Sequence, residues 1–546
     1  MGEIKKDSDI EKSSRISISE GEIQEYHEED RTGLKRSLST RHIVMITLGN
    51  SIGMSLWLGT ARQLQTGGPV GCWISWLIIV SVAICLVNAS GELSVMYPVS
   101  APFAQWADLF LDKAWAITVG FDYWLLFTLN FANELTAANT VVHYWTNADG
   151  MGGGHADAVP VAVWLTIFLA ITVASNVFGV KVFGEIETWE AMLKFVWIFV
   201  VIIACIIVSC RLDQGFHFWV TQPFNMGFKG FLQALAIAGW ALGGIEFTAM
   251  IAPEAKNPLK SVPRAVNSIW LRITLFYIIG VMMVTITNDP NDPRLNSSGT
   301  GASPFTIAFR DGNLPGLAHA MNGIIVVSVV SAGCAYLFGA SRQLHGLAQL
   351  GYMPKIFAKT DRMGHPWAAF ILTAVVGGGL SYLNVSDEAA NVFGWFVNLS
   401  TLGLNFLWGT IFICSIRFRY VWQKQGRDVK DFPWKSWFPK YGSYYGLLWT
   451  VLIIIDVFYL AIWPLDEPSS AKNFFANFVS MILVIVVYVS LKLWFRGPFY
   501  KKAELVDLDR LRREYTEEEC VVDSFLTKED FKPRRIPATI DKIMFD

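Results

Sequence analysis

The sequence predicts an all-α, polytopic membrane protein with twelve transmembrane helices, and three observations carry that prediction. The 546 residues are 53% hydrophobic and only 16% charged, with a mean hydropathy of +0.39, whereas a soluble chain carries roughly a quarter charged residues. Apolar stretches that can cross a bilayer, about 20 residues each, begin near Ile43, Pro69, Trp115, Val159, Trp189, Phe228, Ile269, Leu317, Trp367, Val392, Tyr444 and Phe474. Basic residues gather in alternate loops.

Loops on the side of the N-terminus hold Lys113, Lys181, the Lys256, Lys260, Arg264 group, the Lys355, Lys359, Arg362 group and the run from Arg417 to Lys440. Those on the other side hold little beyond Arg211, Arg294, Arg310 and Lys472. The positive-inside rule therefore places both termini in the cytoplasm. The sequons Asn296-Ser297-Ser298 and Asn384-Val385-Ser386 then fall in outer loops. The chain divides into a cytoplasmic tail (1–40), a twelve-span domain (41–497) and a second cytoplasmic tail (498–546). Ser8, Ser13, Ser14, Ser17 and Ser19 beside Lys5 and Lys6 offer kinases or a ubiquitin ligase a point of regulation, although the composition also suits plain solvated chain. The run Leu505 to Tyr515 is expected to form a short amphipathic helix.

The N-terminus is hydrophilic and acidic, so the first span itself directs insertion. Charge is balanced, 44 basic against 46 acidic residues, which excludes the concentrated basic face that nucleic acid requires. The 7 cysteines include no CxxC pair or Cys/His cluster, and several lie inside apolar runs as buried thiols do. No HExxH, Walker loop or nucleophile elbow occurs, and Gly150-Met151-Gly152-Gly153-Gly154 lacks the strand-turn-helix setting of a nucleotide motif. The chain is not read as an enzyme, and no cofactor or metal is expected.

The first span contains Leu48-Gly49-Asn50-Ser51-Ile52-Gly53-Met54-Ser55-Leu56-Trp57-Leu58-Gly59. Three glycines with Asn50, Ser51 and Ser55 are poor helix material where a span should be most regular. An unwound stretch between Asn50 and Ser55 frees N–H groups at the start of a second half-helix, which suit a carboxylate. A straight helix whose small residues permit close packing is the competing reading.

The sixth span repeats the pattern in Gly239-Trp240-Ala241-Leu242-Gly243-Gly244-Ile245-Glu246. Its freed carbonyls suit an ammonium, and Trp240 is placed either to cover a small ligand or simply to pack. Interrupted spans at matching positions of two five-span halves point to an inverted-repeat transporter with its site at the bilayer midplane, spans eleven and twelve being additions.

The third span gathers Asp122, Asn130, Asn133 and Glu134 within about a third of the helical circumference. An acid at membrane depth faces the bundle interior or a water-filled cavity, which makes Glu134 a functional candidate. Asp122 is read as a solvated or paired acid near the helix end. Lys194 is the basic residue inside the fifth span, roughly 9 Å in if that helix starts near Thr188. Desolvation would let it exchange a proton, while an i,i+4 pair with Glu190 is the alternative.

Many motifs in order carry a resemblance to a known family between about Leu38 and Trp494. They include Arg41-His42-Ile43, Gly67-Gly68-Pro69, Gly91-Glu92-Leu93, Tyr97-Pro98-Val99-Ser100 and Glu134-Leu135-Thr136-Ala137-Ala138. Gly184-Glu185-Ile186-Glu187, Glu254-Ala255-Lys256-Asn257-Pro258, Ser261-Val262-Pro263-Arg264-Ala265, Asn291-Asp292-Pro293-Arg294-Leu295, Ala302-Ser303-Pro304-Phe305, Ala340-Ser341-Arg342 and Ile416-Arg417-Phe418-Arg419 continue it. The chain resembles fungal amino-acid permeases of the yeast amino acid transporter type, in the amino acid, polyamine and organocation superfamily.

That resemblance implies two inverted five-span repeats of the LeuT-like kind with broken first and sixth helices. It also implies a proton-coupled L-amino-acid importer, a symporter in the plasma membrane. It implies that Glu134 lines the site and that Gly244 and Glu246 mark the broken sixth span; with the residue reading above, Asn50, Ser51, Ile52, Gly53, Met54, Ser55, Glu134, Trp240, Ala241, Leu242, Gly243, Gly244 and Glu246 are expected at the substrate site. Lys194 falls where related carriers set a lysine in lieu of a sodium ion, and with Glu134 it is assigned to proton coupling. Asn50, Met54, Ser55 and Trp57 depart from the family pattern and are expected to set substrate choice. A non-transporting sensor or transceptor on the same fold is the alternative.

Overall fold

The computed structural model describes residues 34 to 515 apart from 35, 51, 147–158, 297–302, 363, 386, 438–439, 466–467 and 499. Ser51, the N-terminal serines, Lys5 and Lys6, the glycines of the 150–154 loop, and Ser297, Ser298 and Ser386 of the two sequons lie outside the described residues.

Helices account for every apolar stretch, and among the described residues there is no strand, only an isolated parallel bridge between Leu38 and Ala255. Among the described residues, seven helical segments are long and apolar enough to cross a membrane: 59–96, 180–211, 258–287, 315–349, 367–385, 441–462 and 477–495. The sequence's first span is α1 (Thr40–Asn50) and α2 (Met54–Trp57), running on into α3 (Gly59–Met96). Within α3, Gly68 adopts φ 71°, ψ 174°, and Pro69 follows it. Those two residues end the first span and start the second with no loop between. A Cβ at Gly68 would lie 2.6 Å from Asn225 N and 2.8 Å from Pro223 O, so only glycine fits.

The short α4 (Pro102–Phe110) leads to α5 (Lys113–Thr146), α6 (Val161–Val177) and α7 (Val180–Arg211). The fifth span thus begins at Val180, earlier than the apolar run from Trp189 predicts. Its first turns carry Lys181, Glu185 and Glu187, which lower the local hydropathy while the backbone stays helical. After α8 (His217–Thr221), the sixth span is α9 (Gly227–Ala241) and α10 (Phe247–Ile251).

The seventh comprises α11 (Pro258–Arg272), a π-helical turn at Ile273–Ile279, and α12 (Gly280–Thr287). Asn257 caps α11, its side chain accepting the Lys260 N–H, and Pro258 at the first position needs no partner. Then follow α13 (Pro304–Asp311), α14 (Pro315–Gln349), α15 (Trp367–Ser381), α16 (Asp387–Lys424), α17 (Tyr441–Ile462) and α18 (Ala471–Phe495).

In the packing, α5 runs along α14, α9 along α3, and α1 lies between α7 and α11. Large apolar side chains on the outer helices stay uncovered, among them Val196, Ile203, Val375 and Trp494. Such a surface needs lipid rather than water. Inside, polar side chains such as Asn50, Glu134 and Lys194 are buried alongside a large apolar core.

At the end of the bundle that carries both described chain ends, Leu38 N–H donates to Glu254 O and Lys256 N–H to Leu38 O, each at 3.1 Å. The buried Arg342 guanidinium donates to Glu254 Oε1 at 2.6 Å and lies 3.3 Å over the Phe338 ring. Residues 500–515 run as a strap beneath the same end. Gln425 Nε2 donates to Ala503 O and Val506 O, Tyr97 Oη to Leu508 O, and Arg427 pairs with Asp509. The amphipathic helix expected over Leu505–Tyr515 does not form: beyond a 3-10 turn at Ala503–Leu505 the segment is irregular. The Ala503, Val506 and Leu508 carbonyls accept side chains of the bundle, and the segment's own backbone bonds are confined to single turns. At the opposite end Arg294 is bracketed by Asp292 and Asp311.

Candidate functional site

The first break begins where the sequence loses helix formers. Helix α1 stops at Asn50, Ile52 N–H reaches back to Gly49 O at 3.2 Å, and helix resumes at Met54. Gly53 sits at φ −135°, ψ −147°. A Cβ on it would fall 2.5 Å from Glu134 Oε1 and 3.1 Å from Ala332 Cβ, so the approach of α5 and α14 to this turn depends on glycine.

Both faces of the break carry charge of the sign that the helix ends demand. Lys194 Nζ on α7 donates to the Gly49 and Ile52 carbonyls at 3.1 and 3.2 Å, and to Ser331 Oγ at 3.0 Å. Met54 N–H, first of the second half, donates to the Glu134 carboxylate at 3.3 and 3.4 Å. A cation thus meets carbonyl ends and an anion meets N–H ends, as the helix dipole favours.

In the sixth span α9 ends at Ala241 and α10 starts at Phe247. Gly244 adopts φ 92°, and a Cβ there would lie 2.9 Å from Asn50 Nδ2. Freed carbonyls of this turn are taken by the first span. Ser55 Oγ donates to Ala241 O at 2.9 Å, Asn50 Nδ2 donates to Gly244 O at 3.2 Å, and Thr47 and Thr248 join their hydroxyls at 3.1 Å. The two breaks are therefore bonded to each other.

Among the residues the sequence singles out, Asn50, Gly53, Met54, Ser55, Glu134, Ala241 and Gly244 come together at this junction. Ser51 lies outside the described residues. Ile52 and Leu242 are buried in the core, and Gly243 packs on Leu404. Trp240 is half-buried on the last turn of α9. Glu246 turns the other way: it accepts the Gly244 N–H at 3.2 Å and the Trp408 indole N–H at 3.3 Å, bracing the turn against α16. Trp57 also leaves the junction, edge-on to Phe276 and Phe305.

Lys194 lies deeper than its apolar run implied. Fourteen residues beyond Val180, it sits about 21 Å along α7 at 1.5 Å per residue. Its three N–H groups are spent on other helices, and none goes to Glu190. Asp122 is partly exposed: among the described residues its Oδ2 is buried without a hydrogen-bond partner, while its Oδ1 lies 2.7 Å from where a Cβ on Gly403 would be.

Sequence reasoning passed over Ser331 and Glu187. Ser331 Oγ donates to Glu187 Oε2 at 2.9 Å while receiving Lys194. Glu187 lies seven residues before Lys194, two turns down the same face of the helix. That spacing was the available signal, and the nearer Glu190 concealed it. Around the junction Asn50 Oδ1, Asn130 Oδ1 and Asn133 Nδ2 are buried without a hydrogen-bond partner among the described residues. Unpaired polar atoms at such depth mark where a polar ligand or water completes the set. Among the described residues no His, Cys, Asp or Glu group is arranged to hold a metal ion.

Residues 42–504 match the sequence profile of amino acid permeases. The chain is 35% identical over 492 residues to a probable amino-acid permease, meu22, of Schizosaccharomyces pombe, covering 88% of this chain and 83% of that one. It is 33% identical over 496 residues to cationic amino acid transporter 1 of the same yeast, covering 88% and 81%. It is 35% identical over 489 residues to the S-adenosylmethionine permease GAP4 of Candida albicans, covering 88% and 79%.

Proposed function

The chain belongs to the amino acid permease family, and from that premise we propose that it is a proton-coupled importer of L-amino acids working by alternating access. Transport of amino acids across a membrane, rather than catalysis, is what the family and the names of the relatives support. They do not favour the alternative of a sensor. The single observation that carries the finer reading is the junction of two interrupted helices, gripped on the first span's side by Lys194 and Glu134.

The substrate carboxylate takes the Met54 end of the second half-helix, where Glu134 now shows that a carboxylate is accommodated. The ammonium takes the Ala241 and Gly244 carbonyls, which Ser55 and Asn50 now hold. Binding then exchanges these internal hydrogen bonds for bonds to the ligand. Asn130 and Asn133 are left to meet the variable side chain. Protonation of Lys194 and Glu134 sets how firmly the first span is held.

The twelve-span fold of two inverted five-span repeats, with residues 41–497 as its domain, is part of this proposal. The packing supports it. Span three lies on eight, two on seven, one on seven and six on two, the contacts that a pseudo-two-fold relation between the halves would generate. The plasma membrane as location, cytoplasmic termini and control of the tails by kinases or a ubiquitin ligase complete the proposal.

Uptake of labelled amino acids, one at a time, into cells lacking their own permeases tests the reading, with and without a protonophore. Accumulation that the protonophore abolishes is expected. If no amino acid accumulates although the protein reaches the cell surface, the importer reading fails.

A further inference from the structure

The proposal above gives Lys194 a proton to exchange, and the structure holds a second acceptor for it. Lys194 Nζ lies 3.0 Å from Ser331 Oγ, which lies 2.9 Å from Glu187 Oε2. All three side chains are fully buried. Glu187 Oε1 has no hydrogen-bond partner among the described residues, so that carboxylate is fixed by Ser331 alone. A Cβ on Gly49 would lie 3.9 Å from Glu187 Oε2, which puts the acid beside the first break, two turns nearer the end where α7 begins.

Resting on that coupling reading, we propose that Ser331 and Glu187 relay the proton of Lys194 along this line, towards the end of the bundle that carries both described chain ends. The ammonium passes one proton to Ser331 Oγ as the serine hydroxyl passes its own to Glu187 Oε2. A neutral amine, an intact serine and a neutral carboxylic acid result, and no charge is created. Both hydrogen bonds survive with reversed direction. Glu187 now donates to Ser331, and Ser331 donates to the lysine lone pair. The amine keeps two N–H groups for the Gly49 and Ile52 carbonyls, but those bonds are no longer charge-assisted and weaken by roughly half. The relay therefore loosens the hold on the first break without cutting it.

Other ionisable groups facing this line are Glu190 on α7 itself, Glu134 from α5 and Cys334 from α14. His42 on α1 lies further down: a Cβ on Gly184 would meet its ring at 3.2 Å, and its Nε2 is 2.8 Å from Glu185 Oε1. Glu185 is 45% exposed, so the proton's onward course ends at water.

The test uses the purified full-length protein in liposomes with a radiolabelled mixture of the proteinogenic L-amino acids. Each variant is read twice, as uptake driven by an inward proton gradient and as exchange of internal for external label without one. Ser331→Ala and Glu187→Gln are expected to lower gradient-driven uptake about ten-fold or more and to flatten its dependence on external pH, while exchange falls less than about three-fold. Ser331→Thr, which keeps the hydroxyl, is expected to restore both. Gradient-driven uptake within about two-fold of the parent in both variants overturns the relay. Equal loss of uptake and exchange does so too, because it leaves Ser331 and Glu187 as props of the hinge. A parent protein that exchanges label yet never concentrates it overturns the coupling reading itself, a result the variants are not needed to see.

Discussion

The two interrupted spans share a backbone shape and differ in what holds it. At the first break the partners are an ammonium on the carbonyl side and a carboxylate on the N–H side, Lys194 and Glu134. At the sixth they are an amide, a hydroxyl and a glycine's positive φ, from Asn50, Ser55 and Gly244. Glu246 is the exception there, and it faces Trp408 rather than the junction. Charge-assisted hydrogen bonds are about twice as strong as neutral ones and change with every proton. Neutral ones answer only to shape. Under the proposed function, the contrast would give energy coupling to one span and ligand fit to the other.

Substitution can break that division. The largest effect is expected from Lys194→Ala, which strips the carbonyl end of α1 of its cation. Initial uptake per surface copy should fall about 100-fold or more, with residual transport insensitive to external pH. A Lys194→Ala protein that still concentrates substrate would erase the distinction. Next is Gly244→Ala. The strained left-handed backbone costs about 1–2 kcal/mol, to which crowding against Asn50 adds, and a thermal-shift assay in detergent should show the loss.

Asn50→Ala and Ser55→Ala each remove a donor that competes with the ammonium for a sixth-span carbonyl, so each should tighten apparent affinity for substrate by about 1 kcal/mol, roughly five-fold, with the pH profile unmoved. A shifted profile would show that the sixth span also senses protons. The smallest effect concerns the loop bracket at Arg294. Burial pushes the Asp292 carboxyl up, but the guanidinium of Arg294 outweighs it and holds the acid below the usual carboxylate range. A depressed acid contributes stability above its unfolded pKa and loses it only as pH falls through the folded one. Acidifying the medium from pH 7 to about 5 should therefore leave Asp292 charged, and Arg294→Ala should cost no more than about 1 kcal/mol in unfolding free energy, since the pair is partly exposed.

Much of this was legible because it is local. Glycine spacing at Gly49 and Gly53, and again at Gly243 and Gly244, announces helix that cannot persist, and the breaks fall at Ile52–Gly53 and Leu242–Glu246. Glu134 stood out as an acid at membrane depth. What closes the site was not local. Asn50 and Gly244 are 194 positions apart, Lys194 and Gly49 145, Lys194 and Ser331 137. Rules for neighbours on one helix could offer Lys194 only Glu190. The resemblance puts Glu246 and Trp57 on the site's wall, yet the turn that holds Glu246 aims it at Trp408 and the short second half-helix aims Trp57 at Phe276.

The turn at Gly68 also bears on how the chain is made. The first span is interrupted and carries Asn50, Arg62, Gln63 and Thr66. The segment apolar enough to cross a bilayer begins only at Gly59 and draws most of its hydropathy from beyond Pro69. With a single glycine between them, the two spans leave no slack for one to enter lipid while the other waits at the ribosome. The expected outcome is delivery as a helical hairpin, the second supplying the partitioning free energy that the first lacks. Stalled nascent chains ending shortly after Gly68 should remain carbonate-extractable, and chains extended past Met96 should not.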